Sequence, residues 1–239
     1  IEIDVVGVNR RDAAVLGHLL KYDSVHGKAP FSVTWEEDTI IARKKPVKVL
    51  KESDAEKLPW KQMGVDIVID SSDAFRDREG AGKHLKAGAK KVIIGAPGKN
   101  LDLTVVLGVN DDKYEPKKHN LVSNASCTTN CVAPVAKVLN DSFGIEYAMV
   151  STIHAYTSSQ MILDRADKDL RRARAAAMSI IPTSTGMTSA IGEVLPELQG
   201  KVNGTAFRVP TPDVSLIDFN ATLGKPVTVQ EVNTSFQKA

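Results

Sequence analysis

Leu121-Val-Ser-Asn-Ala-Ser-Cys-Thr-Thr-Asn-Cys131 reads as a strand end, a polar turn and the start of a helix. Leu121 and Val122 are the apolar run. From Cys127 to Phe143, the residues Cys131, Val135, Val138 and Leu139 recur every three or four positions, the period of one helix face. Ser126 or Asn124 can cap that helix, because a short side-chain oxygen accepts from the unpaired N–H groups of the first turn. Cys127 then stands at the amino-terminal end of the helix. There the free N–H groups and the helix dipole favour a thiolate, which makes a cysteine nucleophilic near neutral pH. The plain alternative is a small residue buried at a strand–helix junction. Ser, Cys, Thr and Thr together at a helix start suit an anion site better than a core.

Toward the amino terminus, Ile1–Val8 is apolar apart from Glu2 and Asp4, as a buried parallel strand reads. Asp12 can cap a helix through Lys21, with Ala14, Leu16, Leu19 and Leu20 on its apolar side. Phe31–Val33, Thr39–Ala42 and Val47–Leu50 predict an antiparallel meander. Val65–Asp70 predicts a buried strand, Asp77–Ala87 a helix and Lys91–Gly95 another strand. Strands alternating with helices at this spacing argue for a parallel sheet covered on both faces.

Beyond Cys131 the character changes. Ile145–Ile153, Val202–Val209 and Val214–Asn220 are long strands rich in Val, Ile, Phe and Thr, which suits a mixed or antiparallel sheet. Helices are expected at Thr188–Leu195 and around Asp169–Ala177. The fold class is therefore α/β: a parallel-sheet domain over residues 1–126, followed by an α+β domain over 127–239. Cys127 falls at their junction, where clefts usually form.

Bulk properties exclude several classes. The 239 residues carry 31 basic against 29 acidic side chains, so no polyanion-binding surface such as one for nucleic acid is indicated. No run approaches the roughly 18 apolar residues of a membrane span, and no signal peptide opens the chain. Two cysteines four apart make neither a disulfide framework nor a zinc site, so no metal is expected and a reducing cytoplasm is the default setting.

Five segments together carry a resemblance: SNASCTTNC at 123–131, HAYT at 154–157, DLRRARAAA at 169–177, PTSTG at 182–186 and FRVPTPDVS at 207–215. The chain closely resembles the phosphorylating glyceraldehyde-3-phosphate dehydrogenases from its first residue to its last, with HLLKYDSVHG at 18–27 a further shared segment. The resemblance implies a Rossmann-type NAD(P)-binding domain followed by a catalytic domain. It implies oxidative phosphorylation of glyceraldehyde 3-phosphate to 1,3-bisphosphoglycerate, a step of glycolysis and gluconeogenesis, in a homotetramer. Against the family pattern the chain starts at the second strand, without the glycine-rich turn that holds a pyrophosphate. It is either a fragment or the ordered part of a longer chain, and the exposed core and unpaired edge of a fragment favour the latter.

The resemblance makes Cys127 the nucleophile and His154 the base paired with it. An imidazole in reach would remove the thiol proton and later the hemithioacetal proton. A Cys–His pair alone would equally suit a thiol hydrolase. Hydroxyls and arginines for two phosphates decide against that, since guanidinium groups bind phosphate oxygens bidentately and hydroxyls complete the shell. By resemblance, Thr157 and Arg208 hold the substrate phosphate, while Ser126, Thr128, Arg172, Thr185 and Gly186 receive inorganic phosphate. For Thr185 and Gly186 a simple helix start is the competing reading. The sister activity on erythrose 4-phosphate is the nearest alternative among enzymes, and a catalytically idle binding relative is the alternative outside them.

The chain departs from the family pattern at the cofactor. After the strand that corresponds to Ile1–Val8, NAD-using members carry Asn-Asp, the carboxylate bonding the adenosine ribose. This chain has Asn9-Arg10-Arg11, in a loop one residue shorter. Loss of an acid and gain of two guanidinium groups suits a 2′-phosphate, so NADP is favoured over NAD. Ser72 and Gly95 stand in the other cofactor segments, at Ser71–Phe75 and Gly95–Pro97. Asp73 between them is unexplained, since an acid beside a dinucleotide is unhelpful unless it is turned away or paired.

Overall fold

The computed structural model describes residues 3–239, so the first two residues of the expected strand Ile1–Val8 lie outside the described residues. The chain forms two compact units, residues 1–64 with 86–88 and residues 65–85 with 89–239.

In the first unit β1 (Val6–Val8) leads to α1 (Ala13–Lys21), a short hairpin of β2 (Tyr22–Asp23) and β3 (Gly27–Lys28), and the meander β4 (Val33–Glu36), β5 (Thr39–Ala42) and β6 (Lys45–Leu50). The sheet order is β1-β6-β5-β4, with β1 parallel to β6 and the meander antiparallel as expected. The one-turn helix α2 (Trp60–Met63) follows. Helix α1 buries Ala13 and Gly17, and the core around Ala13 takes in Val33, Ile40 and Val49. Leu19 and Leu20, expected on the apolar side, are exposed. Trp35 explains the shift: a Cβ on Gly17 would come within 2.6 Å of its ring, so the helix seats its small residues there.

In the second unit β7 (Ile67–Asp70), α3 (Arg78–Lys86, whose last residue falls in the first unit), β8 (Lys91–Ile94), β9 (Leu103–Thr104) and β10 (Leu121–Ser123) form an all-parallel sheet of order β7-β8-β10-β9. On the edge strand β7 one face is buried and the other exposed, whereas Ile93 of β8 and Val122 of β10, on the second face, are half-buried. Val68 and Asp70 are buried, with Asp70 meeting His84 of α3, while Ile67 and Ile69 on the opposite face are 56% and 70% exposed. The expected cover on both faces is therefore incomplete at β7.

The stretch from Leu121 onward forms the expected strand end, turn and helix, but of the expected face Cys131, Val135, Val138 and Leu139 only Leu139 is buried. Helix α4 (Cys127–Phe143) begins at the cysteine and ends at Gly144, whose φ of 73° suits a residue without a Cβ. It runs through Pro134, which lacks the N–H that the Asn130 carbonyl would otherwise accept. Tertiary packing offsets that loss, since Val132, Ala133, Ala136 and Leu139 are buried in one cluster with Ile145, Val150, Met187 and Ile191. β11 (Ile145–Ala155) is the centre of the mixed sheet β12-β13-β11-β14, built with β12 (Ile181–Thr183), β13 (Val202–Val209) and β14 (Leu216–Leu223). β11 is parallel to β13 and antiparallel to β14. Helix α5 (Met187–Val194) packs on this core, and α6 (Val229–Lys238) ends the chain behind a Thr228–Glu231 capping box. Asp169–Ala177, expected to be helical, forms separate 3₁₀ turns at Leu170–Arg172 and Ala176–Met178.

Candidate functional site

β10 stops at Ser123, and after three intervening residues α4 starts at Cys127. Ser126 is the cap: its Oγ accepts from the Thr129 N–H at 3.0 Å and lies 2.8 Å from Thr129 Oγ1. Cys127 is therefore the first helical residue, and its side chain is exposed. Cys131, expected in the core one turn on, is exposed too, because the buried face of α4 runs through Val132, Ala136 and Leu139.

His154 is the second-last residue of β11, and its Nε2 lies 3.4 Å from Cys127 Sγ. The other ring nitrogen, Nδ1, is 2.6 Å from the Ala155 carbonyl oxygen and 3.0 Å from Arg208 Nη1, which itself donates to the same carbonyl at 3.0 Å. A carbonyl only accepts, so the shorter 2.6 Å contact puts the proton on Nδ1, pointing at the Ala155 oxygen, and the Arg208 Nη1, itself only a donor, gives its hydrogen to that same oxygen and not to the ring. That leaves the Nε2 lone pair facing the sulfur. Burial holds the His154 pKa below the ordinary histidine range, the bond to Ala155 opposes this, and the Arg208 charge adds to the lowering. These effects together favour the neutral imidazole, whose Nε2 can accept a proton.

Arg208 is beside His154 in the β11–β13 ladder. Burial lowers its pKa, the Cys127 sulfur raises it and the Arg172 charge lowers it. Arg172 ends the turn Leu170–Arg172 with its Nε 4.0 Å from the Asp167 carboxylate, outside hydrogen-bond range. The Nε atoms of both arginines are buried and have no hydrogen-bond partner among the described residues, so the site offers two donors to an anion. Thr128 is buried in the first turn of α4. Thr157 bonds within its own turn, to Ser159 and Gln160. Thr185 Oγ1 accepts from the Met187 N–H at 3.2 Å and Gly186 caps α5, so both also serve as the plain helix start that the sequence allows. Cys127, His154, Arg208 and Arg172 are thus brought together, while Thr157, Thr185 and Gly186 make local bonds.

Of the segments expected to meet a cofactor, residues 9–11 belong to the first unit and residues 71–75 and 95–97 to the second. In the first, Asn9 Oδ1 accepts from the Arg11 N–H at 3.0 Å. Arg10 and Arg11 are exposed, and neither pairs with a carboxylate among the described residues; the nearby acid Asp12 is engaged by Lys51. In the second, Ser72 donates through N and Oγ to Asp70 Oδ1 at 2.8 and 2.7 Å. A Cβ on Gly95 would stand 3.0 Å from Ser71 Oγ, a close approach that glycine permits. Asp73 is paired, its carboxylate 2.7 Å from Arg76, which gives the acid an account. A cleft of ≈ 460 Å³ opens here, lined among others by Ala74, Pro97, Ala125, Gly186 and Ser189. It lies past the carboxyl ends of β7, β8 and β10, where open α/β sheets take their ligands.

Three residues near the site, His84, Asp70 and Asn130, leave almost no trace in the sequence. His84 and Asp70 form a buried contact of 3.2 Å under the Ser72 loop, with no sequence signal linking them. Asn130 spans the turn before Cys127, and only its place one turn into the helix hints at that. No helix among the described residues is long and apolar enough to cross a membrane.

Residues 1–78 match the model of the glyceraldehyde 3-phosphate dehydrogenase NAD binding domain, and residues 126–239 match that of the same enzymes' C-terminal domain. The chain is 57% identical over all 239 residues to a glyceraldehyde-3-phosphate dehydrogenase of Geobacillus stearothermophilus, covering 71% of that protein. The chain belongs to the glyceraldehyde-3-phosphate dehydrogenase family. Identity of 54% to glyceraldehyde-3-phosphate dehydrogenase 1 of Bacillus subtilis and 52% to the Streptomyces coelicolor enzyme agrees, each over the whole chain and 71% of the relative. Membership makes it a nicotinamide-dependent oxidoreductase of α/β fold. The match to the C-terminal domain begins at Ser126, the residue that caps the helix of Cys127.

Proposed function

We propose that this protein oxidises glyceraldehyde 3-phosphate and phosphorylates the product, with Cys127 as nucleophile and His154 as base. The observation that carries this is the 3.4 Å approach of His154 Nε2 to Cys127 Sγ beside two arginines with unpaired buried Nε atoms. His154 takes the thiol proton, and the Cys127 sulfur forms a bond to the aldehyde carbon. The imidazolium returns its proton to the carbonyl oxygen, giving a hemithioacetal. His154 then removes that hydroxyl proton as the carbon is oxidised to a thioester. A bound nicotinamide supplies the hydride acceptor this oxidation needs. Finally an oxygen of inorganic phosphate bonds to the thioester carbon, the C–S bond breaks, and Cys127 leaves as thiolate with an acyl phosphate as product. The Cys127 N–H, free at the helix start, can donate to the oxyanion in each addition.

Arg208 with Thr157 would take the substrate phosphate. Arg172 with Ser126, Thr128, Thr185 and Gly186 would take the attacking one. For the dinucleotide, Asn9, Arg10 and Arg11 would hold the adenosine ribose with its 2′-phosphate, and Ser72 and Gly95 would border the remainder. The division of labour is cofactor binding in residues 1–126 and catalysis in 127–239, in a homotetramer. A thiolate nucleophile needs a reducing compartment, which suits the cytoplasm.

The test is absorbance of reduced nicotinamide on adding glyceraldehyde 3-phosphate or erythrose 4-phosphate, with and without inorganic phosphate. Phosphate-dependent turnover on the triose that Cys127→Ser abolishes is expected; turnover that survives the substitution refutes the assignment.

A further inference from the structure

The turn that delivers Cys127 to its helix passes through a left-handed alanine. Ala125 has a φ of 55°, where the Cβ of an L-residue crowds the following carbonyl and glycine is the usual occupant. Glycine would forfeit packing, for Ala125 is only 3% exposed and belongs to the cluster of Val106, Val132 and Met187. The position thus carries a residue whose own backbone preference opposes the conformation, and its surroundings must hold it there.

Those surroundings are specific. Asn124 N–H donates to the Ile94 carbonyl at 2.9 Å, and Ala125 N–H donates to Ser123 Oγ at 3.0 Å. From the far side Asn130, in the first turn of α4, reaches back over the turn. Its Nδ2 donates to the Asn124 carbonyl at 2.7 Å and to the Ser126 carbonyl at 3.0 Å, the two carbonyls flanking Ala125. Only the NH₂ end of the amide fits, since its oxygen would face two acceptors. Relaxing Ala125 to an ordinary φ would rotate Ser126, its cap and the first helical residue together.

We propose that Asn130 is a positioning residue: by clamping the carbonyls of Asn124 and Ser126 it keeps Ala125 left-handed and so sets Cys127 Sγ against His154. The inference rests on Cys127 being the nucleophile; Asn130 acts through that residue and touches no reacting atom. An asparagine that merely decorated a helix surface would leave the cysteine's reactivity unchanged when replaced.

The experiment measures alkylation of Cys127 by iodoacetamide, followed on the Cys127 peptide by mass spectrometry, together with kcat and KM. Asn130→Ala should slow alkylation near neutral pH and lower kcat by on the order of tenfold to a hundredfold, with KM for the aldehyde little moved. Asn130→Asp should do at least as much, because a carboxylate repels both carbonyls. The double variant Ala125→Gly with Asn130→Ala should recover most of the loss, since glycine takes the left-handed conformation without help. An Asn130→Ala protein that alkylates like wild type overturns the proposal. So does a double variant that shows no recovery, as Asn130 would then act elsewhere. If Asn130→Ala does not fold, the double variant decides: wild-type alkylation supports the clamp and slowed alkylation contradicts it. Failure of the nucleophile assignment looks different, namely turnover that survives Cys127→Ser while the Asn130 effects on alkylation persist.

Discussion

Arg208 and His154 are register partners on the parallel strands β13 and β11, and one carbonyl, that of Ala155, receives both the guanidinium and the imidazole Nδ1. The pairing gives Arg208 a part beyond any contact with substrate, because its charge opposes protonation of the ring it stands beside.

That part has a definite sign. Burial and the Arg208 charge hold His154 below its ordinary pKa. Arg208→Ala removes the charge and admits water, so both changes raise the His154 pKa. A base works only when unprotonated, and the acid limb of the rate profile should therefore move to higher pH. NMR titration of His154 in wild type and variant checks this directly; an unchanged or lowered midpoint would show that Arg208 does not act on the ring.

The phosphate assignments separate kinetically. Ala variants of Arg172 and Thr185 should weaken saturation by inorganic phosphate more than by aldehyde, and those of Arg208 and Thr157 should show the reverse. Steady-state KM values for each ligand are the measurement. An Arg208→Ala enzyme with both values intact would remove this strand from substrate binding.

The cofactor prediction follows from a departure from the family pattern. A charge-assisted hydrogen bond contributes about 1.5–3 kcal/mol. One arginine engaged on a 2′-phosphate therefore favours NADP by on the order of tenfold to a hundredfold, each tenfold being about 1.4 kcal/mol. Values of kcat/KM for NADP and NAD should show that preference in wild type and lose it in Arg10→Asp. Wild-type preference for NAD, unmoved by the substitution, would dismiss the idea.

Packing in the first unit yields a structural prediction. Gly17→Ala places a Cβ 2.6 Å from Trp35 Cε3, so the ring or the helix must shift. Overpacking of this kind costs about 1–3 kcal/mol. A lowered denaturation midpoint followed by tryptophan fluorescence is expected, and an unchanged midpoint would mean that Trp35 yields freely.

Much of this architecture is written locally, and what is not local stays hidden in the sequence. Helix α4 is legible to both ends because Ser126 and Gly144 punctuate it, though its buried face, through Val132, Ala136 and Leu139, lies beside the one its spacing suggests. The strands that carry His154 and Arg208 are legible from their β-branched runs, though no feature of either announces that they are adjacent; that is a property of the ladder. β12 escapes notice because Pro182 reads as a breaker, yet an edge strand tolerates proline. The turns at 169–177 mislead because arginine and alanine favour helix, whereas Arg171 and Arg174 here bond Asp169 and Asp164. α6 does carry a readable signal, the capping pattern Thr228-Val-Gln-Glu231. The Asn130 clamp is invisible, because a side chain bonding carbonyls four and six residues back leaves no periodic trace.

The central claim is that His154 activates Cys127, and the rate of Cys127 alkylation by iodoacetamide as a function of pH tests it most directly, in wild type against His154→Asn. The account predicts that the variant alkylates far more slowly near neutral pH, that the two converge in strong base, and that turnover falls by roughly 10²–10⁴. Coincident alkylation curves would contradict it, whatever the effect on turnover.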